Sequence, residues 1–169
     1  MPPITPFPNP TVALRVLQFT GAGLIIGLVI ATIAFTVVAM NTTVAKPVPA
    51  AIFFPYVGFG AGILQPLASF FLRGWMLSPD RLAQLPSLGL EMAAIGKFRT
   101  ATIVSMGLCE TGGFLLLVML LMGAMNGACP PYFFAAMIIP LGGMIMHFPT
   151  QFKWERVKFE AERLKQNAS

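Results

Sequence analysis

The stretch Thr100–Met125, TATIVSMGLCETGGFLLLVMLLMGAM, decides the fold class of this chain. It contains one charged residue, Glu110, among 26 residues that are otherwise mostly apolar. A helix needs about 20 such residues to cross a hydrocarbon core of about 30 Å. Because backbone polar groups cannot go unpaired in lipid, and because no alternating strand pattern is visible, the stretch is predicted to be a membrane-spanning α-helix.

Three other stretches reach spanning length, at about residues 12–40, 50–72 and 132–148. Only 10% of the 169 residues are charged, whereas a soluble domain has about 25%. The predicted fold class is therefore all-α: an integral membrane protein with four transmembrane helices in residues 1–148 and a charged cytoplasmic helix in residues 149–169. The first apolar stretch is too long for the core of a signal peptide, so we expect it to be an uncleaved span.

The basic residues predict the orientation of these helices, because Lys and Arg resist translocation and collect in cytoplasmic loops. Ten of the eleven basic residues fall on one predicted side, and Lys46 alone falls on the other. The ten are Arg15, Arg73, Arg81, Lys97, Arg99, Lys153, Arg156, Lys158, Arg163 and Lys165. Both termini are thus expected in the cytoplasm, with the chain in a bacterial inner membrane. The basic residues form no continuous face, so the expected partner is the lipid bilayer and not nucleic acid.

The long loop between the second and third spans contains residues typical of a helix N-terminus. Ser78-Pro79-Asp80-Arg81 predicts a turn that opens a short helix, and Pro86 then interrupts that helix.

The charged segment after Phe148 predicts a water-facing helix capped by Thr150. Glu160 is spaced to pair with Arg156 and with Arg163. The helix has a narrow apolar stripe, which predicts that it lies against the membrane or the cytoplasmic loop; the alternative is a docking surface for another protein. The stripe consists of Trp154, Val157, Ala161 and Leu164.

Glu110 is the only acidic residue in any predicted span. It follows Arg99 by eleven residues, which corresponds to roughly 16 Å at helical rise. An ionised carboxylate at that depth is costly, so we expect the group to be protonated, paired with a cation or in a hydrated cavity. This predicts binding of a proton or a monovalent cation. The alternative is a neutral Glu that only hydrogen-bonds a neighbouring helix.

Gln65 is the predicted partner of Glu110, because the two fall at a similar depth. Pro66 removes a backbone donor and frees the carbonyl of Gly62, which predicts a polar kink suited to a proton or small cation. Pro140 is a second predicted kink, in the fourth span. The alternative is that Pro66 only bends its helix while Gln65 satisfies the free carbonyl.

Small residues predict where the helices approach one another closely. The predicted contact glycines are Gly23, Gly27, Gly58, Gly62, Gly112 and Gly113. Gly112 and Gly113, together with Gly107, bracket Glu110 in the sequence, so a neighbouring helix can come near that carboxyl.

The other reactive side chains form no recognisable catalytic or metal-binding pattern. His147 is expected at the water interface, and one His with two separated Cys supplies no metal or haem site. Ser105 and Cys109 lie four residues apart with no histidine expected at their depth, which disfavours nucleophilic catalysis. We therefore expect no metal and no cofactor, and an enzyme is the less expected class.

The stretch Arg99–Val118, RTATIVSMGLCETGGFLLLV, resembles the carboxylate-bearing helix of the proteolipid, or c, subunits of rotary ATPases. In that family an acid followed by small and apolar residues binds one proton or sodium ion per ring position. The resemblance implies that Glu110 is the ion-carrying carboxylate and that Gly21-Ala22-Gly23 with Gly27 belongs to the partner helix. The chain departs from the family in lacking a long alternating glycine run and two adjacent repeats.

A second resemblance covers most of the chain and is to a group of small uncharacterised four-span bacterial inner-membrane proteins. The matching motifs are Arg99-Thr100 with Ile103, Glu110-Thr111-Gly112, and Phe148-Pro149-Thr150. This resemblance implies the topology and brings no activity with it.

The sequence thus predicts a small integral membrane protein whose membrane-buried carboxylate, Glu110 assisted by Gln65, binds a proton or monovalent cation. We expect it to work within a homo-oligomer or a larger membrane complex. The alternative is a structural or assembly subunit that bridges other membrane proteins and has no ion-binding role.

Overall fold

A computed structural model describes residues 9–43 and 48–167, and the regular structure in this part of the chain is entirely helical. The predicted all-α class is therefore confirmed. The helices are α1 (Pro10–Asn41), α2 (Phe53–Met76), α3 (Pro79–Ala83), α4 (Leu90–Met125), α5 (Ile138–His147) and α6 (Gln151–Gln166). Short 3-10 helices, Pro49–Ile52 and Pro131–Met137, precede α2 and α5. Lys46, the one basic residue expected on the opposite side, lies outside the described residues.

Three of the described helical segments are long and apolar enough to cross a membrane. They are Pro10–Asn41, Pro49–Met76 and Leu90–Met125. The segment Pro131–His147 meets the same test only together with Gln151–Gln166, from which it is bent by 53°. By length and composition the chain therefore has three candidate spans, or four if this bent pair forms one.

The central helix of the bundle is α4, which contacts α1, α2, α5 and α6. Its contacts with α2 show that the two run antiparallel: they pair Pro55 with Gly123, Gly62 with Leu116, and Ser69 with Ser105. Contacts of Gly21 with Met106 and of Leu28 with Gly113 show that α1 runs parallel to α4. The chain therefore forms an up-and-down bundle around α4. We call the end where α2 and α5 finish and α4 begins the basic end.

The outer surface of the bundle is strongly apolar. Phe19 and Phe71 are each about 80% exposed, and Ile30 and Ile138 are also largely exposed. Patches of this kind are covered by lipid or protein and not by water. The exposed surface thus agrees with the composition in favouring a membrane protein.

At the basic end, α6 packs back onto the bundle. Trp154 is buried against Phe98 of α4, with ring centroids 5.9 Å apart, and Ala161 is fully buried. Val157 packs against the same cluster, half-buried. Three of the four residues of the predicted apolar stripe are therefore used within the chain, where α6 packs on α3 and α4 and shares one core cluster with α1.

The local signals in these segments are confirmed. Thr150 caps α6 by accepting a hydrogen bond from the Lys153 backbone N–H. The turn at Ser78 opens α3, which ends before Pro86. Of the two expected charge pairs on α6, the structure contains Arg163–Glu160, at 2.6 Å, and not Arg156–Glu160.

Candidate functional site

Glu110 lies on α4 at the edge of its buried face and is partly exposed. Ile103 and Phe114, seven residues before and four residues after it, are about 40% exposed on the same side of the helix. Glu110 makes no hydrogen bond or ion pair with any described residue. Glu110 therefore lies among apolar side chains of α4, without a partner from the rest of the described chain.

Gln65 lies on a different side of α4 from Glu110. A Cβ built on Gly112 would lie 3.0 Å from the Gln65 Cβ, so Gln65 packs on the face of α4 that carries Gly112. At about 100° per residue, Gly112 points roughly 200° away from Glu110. The Gln65 side-chain oxygen is buried and accepts no hydrogen bond from the described residues, so the structure does not join the two predicted partners.

Both predicted kink residues are buried: Pro66 lies inside α2, whereas Pro140 is the third residue of α5, in its first turn. The carbonyl oxygen of Pro66 accepts a hydrogen bond from the Ser69 hydroxyl at 2.6 Å. This carbonyl is the proline's own and not the Gly62 carbonyl that the missing proline N–H leaves free, so the predicted ion-binding kink stays a prediction.

The predicted contact glycines fall into two groups. A Cβ on Gly58, Gly62, Gly112 or Gly113 would come within 3.0 Å of an atom on a neighbouring helix. A Cβ on Gly23 or Gly27 would have nothing within 4 Å, so these two lie on the outer face of α1. The four close glycines lie where α4 packs against α1 and α2. The two α1 glycines instead lie on an open surface of that helix.

A polar cluster that the sequence did not indicate lies between α2, α4 and α5. Ser69 and His147 are both buried, and the Ser69 Oγ lies 2.7 Å from Nε2 of His147. The same hydroxyl lies 3.3 Å from the Cys109 Sγ. On the other side of the ring, Arg73 Nη1 lies 3.3 Å from Nδ1 and donates to the His147 backbone oxygen at 2.8 Å.

The direction of the hydrogen bonds in this cluster follows from the donors. Arg73 can only donate, so Nδ1 of His147 accepts and the ring proton sits on Nε2. That N–H donates to Ser69, whose own hydrogen goes to the Pro66 carbonyl oxygen. One continuous chain of bonds therefore runs from Arg73 near the end of α2, through His147 of α5, and back to the Pro66 carbonyl oxygen of α2.

This arrangement suits a structural link better than catalysis. In a nucleophilic Ser–His pair, the second ring nitrogen donates to a carboxylate, which stabilises the imidazolium as it forms. Here Arg73 faces that nitrogen instead, and its positive charge opposes formation of an imidazolium. Ser69 is also completely buried, so no substrate can reach its hydroxyl.

Two sequence-based expectations are wrong here. His147 lies at the basic end of the bundle but is only 2% exposed, because its ring packs between Ser69 and Arg73 and not against water. A histidine also does lie near Cys109, one hydrogen-bonded hydroxyl away. Ser69 was the missing signal: it lies three residues after Pro66 and four before Arg73, so all three share one face of α2.

Among the described residues, no group of three or more His, Cys, Asp or Glu side chains is placed to hold a metal ion. Comparison with known proteins gave no significant match to a protein family, to a curated protein or to a solved structure.

Proposed function

We propose that this chain is a four-span membrane protein with both termini in the cytoplasm, in which Glu110 binds a proton or a monovalent cation. The observation that carries the proposal is an acid without a partner on an apolar helix. Of the residues between Arg99 and Met125, Glu110 alone carries a charge.

The depth of Glu110 follows from helix geometry. It lies about 16 Å from Arg99 and about 22 Å from Met125 at a rise of about 1.5 Å per residue. A span of α4 that begins near Arg99 brings the carboxyl close to the middle of the hydrocarbon core. At that depth a bare carboxylate is disfavoured by several kcal/mol, so the group needs a proton, a cation or a donor from another chain.

The surroundings of Glu110 favour a site completed from outside the chain. The carboxyl lies at the rim of α4, beside the exposed Ile103 and Phe114. Gln65, the other unsatisfied polar group at this level, faces the inside of the bundle. A second copy or another subunit placed over this side of α4 would supply the donors that the chain itself does not provide.

Labelling with an apolar carbodiimide tests this proposal, because the reagent adds to protonated carboxyls in apolar surroundings. We expect one adduct, on Glu110, in native membranes and none in Glu110→Gln. Labelling should fall as pH is raised or sodium is added, since ionisation or a bound cation removes the reactive form. A water-soluble carbodiimide should instead modify Glu91 and Glu155, which are exposed. An apolar-reagent adduct that responds to neither pH nor sodium would contradict ion binding.

A second candidate function, bridging in a membrane complex, is favoured by one observation on α6. Phe152 and Phe159 are 74% and 66% exposed and lie seven residues apart, so they share one face of the helix. The double variant Phe152→Ser/Phe159→Ser leaves the buried face of α6 intact. If bridging is the function, this variant should lose co-purifying membrane proteins, and carbodiimide labelling of Glu110 should be unchanged.

A further inference from the structure

A cavity of about 580 Å³ lies at the basic end, between α2, α3, α4, α5 and α6. Its volume falls within the range of about 300–1,000 Å³ that small-molecule sites occupy. Glu110 and Gln65 are not among its lining residues, so the cavity is separate from the proposed ion site.

The lining of the cavity carries an excess of positive charge. Arg73, Lys153 and Arg156 line it, against one acid, Glu160. Glu160 is itself paired with Arg163 at 2.6 Å, which reduces its ability to neutralise the three cations.

The three cations keep unused hydrogen-bond donors. Arg73 uses only Nη1, toward His147, and its guanidinium also lies 5.5 Å from the centre of the Phe98 ring. Lys153 donates to the backbone oxygens of Met146 and Phe148, two bonds from an ammonium that has three hydrogens. Arg156 makes no ion pair or hydrogen bond with any described residue.

Burial and the charge of Arg73 lower the pKa of Lys153 below its ordinary value. Burial is the larger cause of this shift, and the repulsion from the Arg73 guanidinium adds to it. An anion in the cavity would relieve that repulsion.

The cavity also has an apolar margin at the level where the spans end. Phe70 and Met146 line it, and both are exposed on the apolar outer surface of α2 and α5. In each helix an exposed apolar residue is followed closely by a charged or polar one. Arg73 comes three residues after Phe70 in α2, and His147 comes directly after Met146 in α5. Such a boundary fits a ligand with an anionic group next to a hydrocarbon chain.

We propose that this cavity binds the phosphate of an anionic phospholipid, with the cations around the phosphate and an acyl chain along Phe70 and Met146. Basic pockets at the headgroup level of membrane proteins bind lipid phosphates through the same charge complementarity. The ligand chemistry is that of a phosphate ester, which a lipid headgroup or a soluble phosphate can supply.

The proposal is tested on the full-length protein, with retained lipid counted by native mass spectrometry. Protein is purified from nanodiscs that contain phosphatidylglycerol in a phosphatidylcholine background. Arg156→Gln is the decisive variant, because Arg156 supports nothing else in the described chain and its loss should not affect folding. Arg15→Gln is the matched control, since Arg15 is an exposed arginine on α1 that does not line the cavity. Soluble glycerol phosphate and inorganic phosphate form the second arm.

We expect one phosphatidylglycerol to be retained by the unmodified protein and by Arg15→Gln. Arg156→Gln should weaken its binding about fivefold, the effect of one basic residue near an anionic headgroup, and Arg156→Glu should weaken it further. Displacement of the lipid by glycerol phosphate at millimolar concentration would identify the phosphate as the recognised group and support the proposal. Equal retention by the Arg156 and Arg15 variants, or equal retention of phosphatidylcholine, would overturn it.

Discussion

Arg73 and His147 are joined at two points: the Arg73 Nη1 donates to the His147 backbone oxygen at 2.8 Å and lies 3.3 Å from the ring Nδ1. The contact links the last turn of α2 to the last residue of α5, 74 positions later in the chain. The last carbonyl groups of a helix have no helical partner. At the end of α5, Arg73 donates to the His147 oxygen and Lys153 to the Met146 oxygen, so both cations cap the helix. The bundle is thus closed at its basic end by a buried polar link.

Ser69 is the centre of this link, so Ser69→Ala should destabilise the bundle. The substitution removes the acceptor of the His147 Nε2–H and leaves a buried donor unsatisfied, which we expect to cost about 1 kcal/mol. The measurement is unfolding of the protein in mixed detergent, monitored by tryptophan fluorescence. Ser87→Ala is the control, because Ser87 is exposed in the loop before α4. Equal stability of the two variants would show that the link contributes nothing.

Gly58 tests the close approach of α2 to α4. A Cβ at this position would lie 2.9 Å from the Met119 Cβ, which cannot move without shifting the α4 backbone. Gly58→Ala should therefore lower stability by about 1–3 kcal/mol. Gly60→Ala is the matched control on the same helix, since nothing lies within 4 Å of its added Cβ. Because alanine has a higher helix propensity than glycine, Gly60→Ala should leave the stability of the protein unchanged or slightly raise it. The opposite order of stabilities would show that α2 does not pack on α4 in this way.

Trp154 should hold α6 on the bundle. Its ring is 4% exposed and packs against Phe98, so Trp154→Ala should cost about 3 kcal/mol and release the helix. The expected result is faster tryptic cleavage within Gln151–Gln166, while the cleavage of α2 and α4 stays slow. Phe152→Ala removes an aromatic ring from the exposed face and should leave the cleavage rate unchanged. If both variants are cleaved at the same rate as the unmodified protein, α6 is not held by its apolar stripe.

The pair between Lys158 and Glu91, 2.8 Å apart, adds a pH-dependent contribution to the same docking. The hydrogen bond to Glu91 raises the pKa of Lys158 above its ordinary value of 10.5. A raised folded-state pKa means that the pair stabilises the fold fully below the unfolded value and loses this effect as pH rises through the folded one.

Lys158→Gln should therefore weaken α6 docking slightly at pH 7 and have no effect once the ammonium of the unmodified protein is deprotonated. The effect should also shrink in high salt, because the pair is exposed. Thermal unfolding of Lys158→Gln, Glu91→Gln and the double variant forms the cycle that checks it. Fully additive losses in the two single variants would show that the residues do not interact.

The sequence predicted the helices better than their contacts. Apolar length identified the segments within α1, α2 and α4, and local signals such as Thr150 and Ser78 marked where shorter helices begin. These features depend on neighbouring residues, so a linear reading can find them. The 3-10 helix Pro131–Met137, which precedes α5, had no comparable local signal in the sequence.

The polar link could not be predicted, because its members are far apart in the chain. Ser69 and His147 are 78 positions apart, and the sequence alone gives no depth for a histidine at the end of a span. The pairing of Glu110 with Gln65 was predicted from depth alone. The depth of a residue does not determine which side of the helix it faces. Gln65 packs against Gly112, which lies on the opposite side of α4 from Glu110.

The most direct test of the proposed function is the depth of position 110 in a bilayer. A spin label on Glu110→Cys, with Ser87→Cys as the surface reference, is exposed to oxygen, which concentrates in lipid, and to a nickel complex that stays in water. The unsubstituted protein checks that the buried Cys109 and Cys129 take up no label. We predict that oxygen relaxes the label at 110 more strongly than nickel does, and that the order is reversed at 87. Stronger relaxation by nickel at 110 would put this side chain in water and contradict the account.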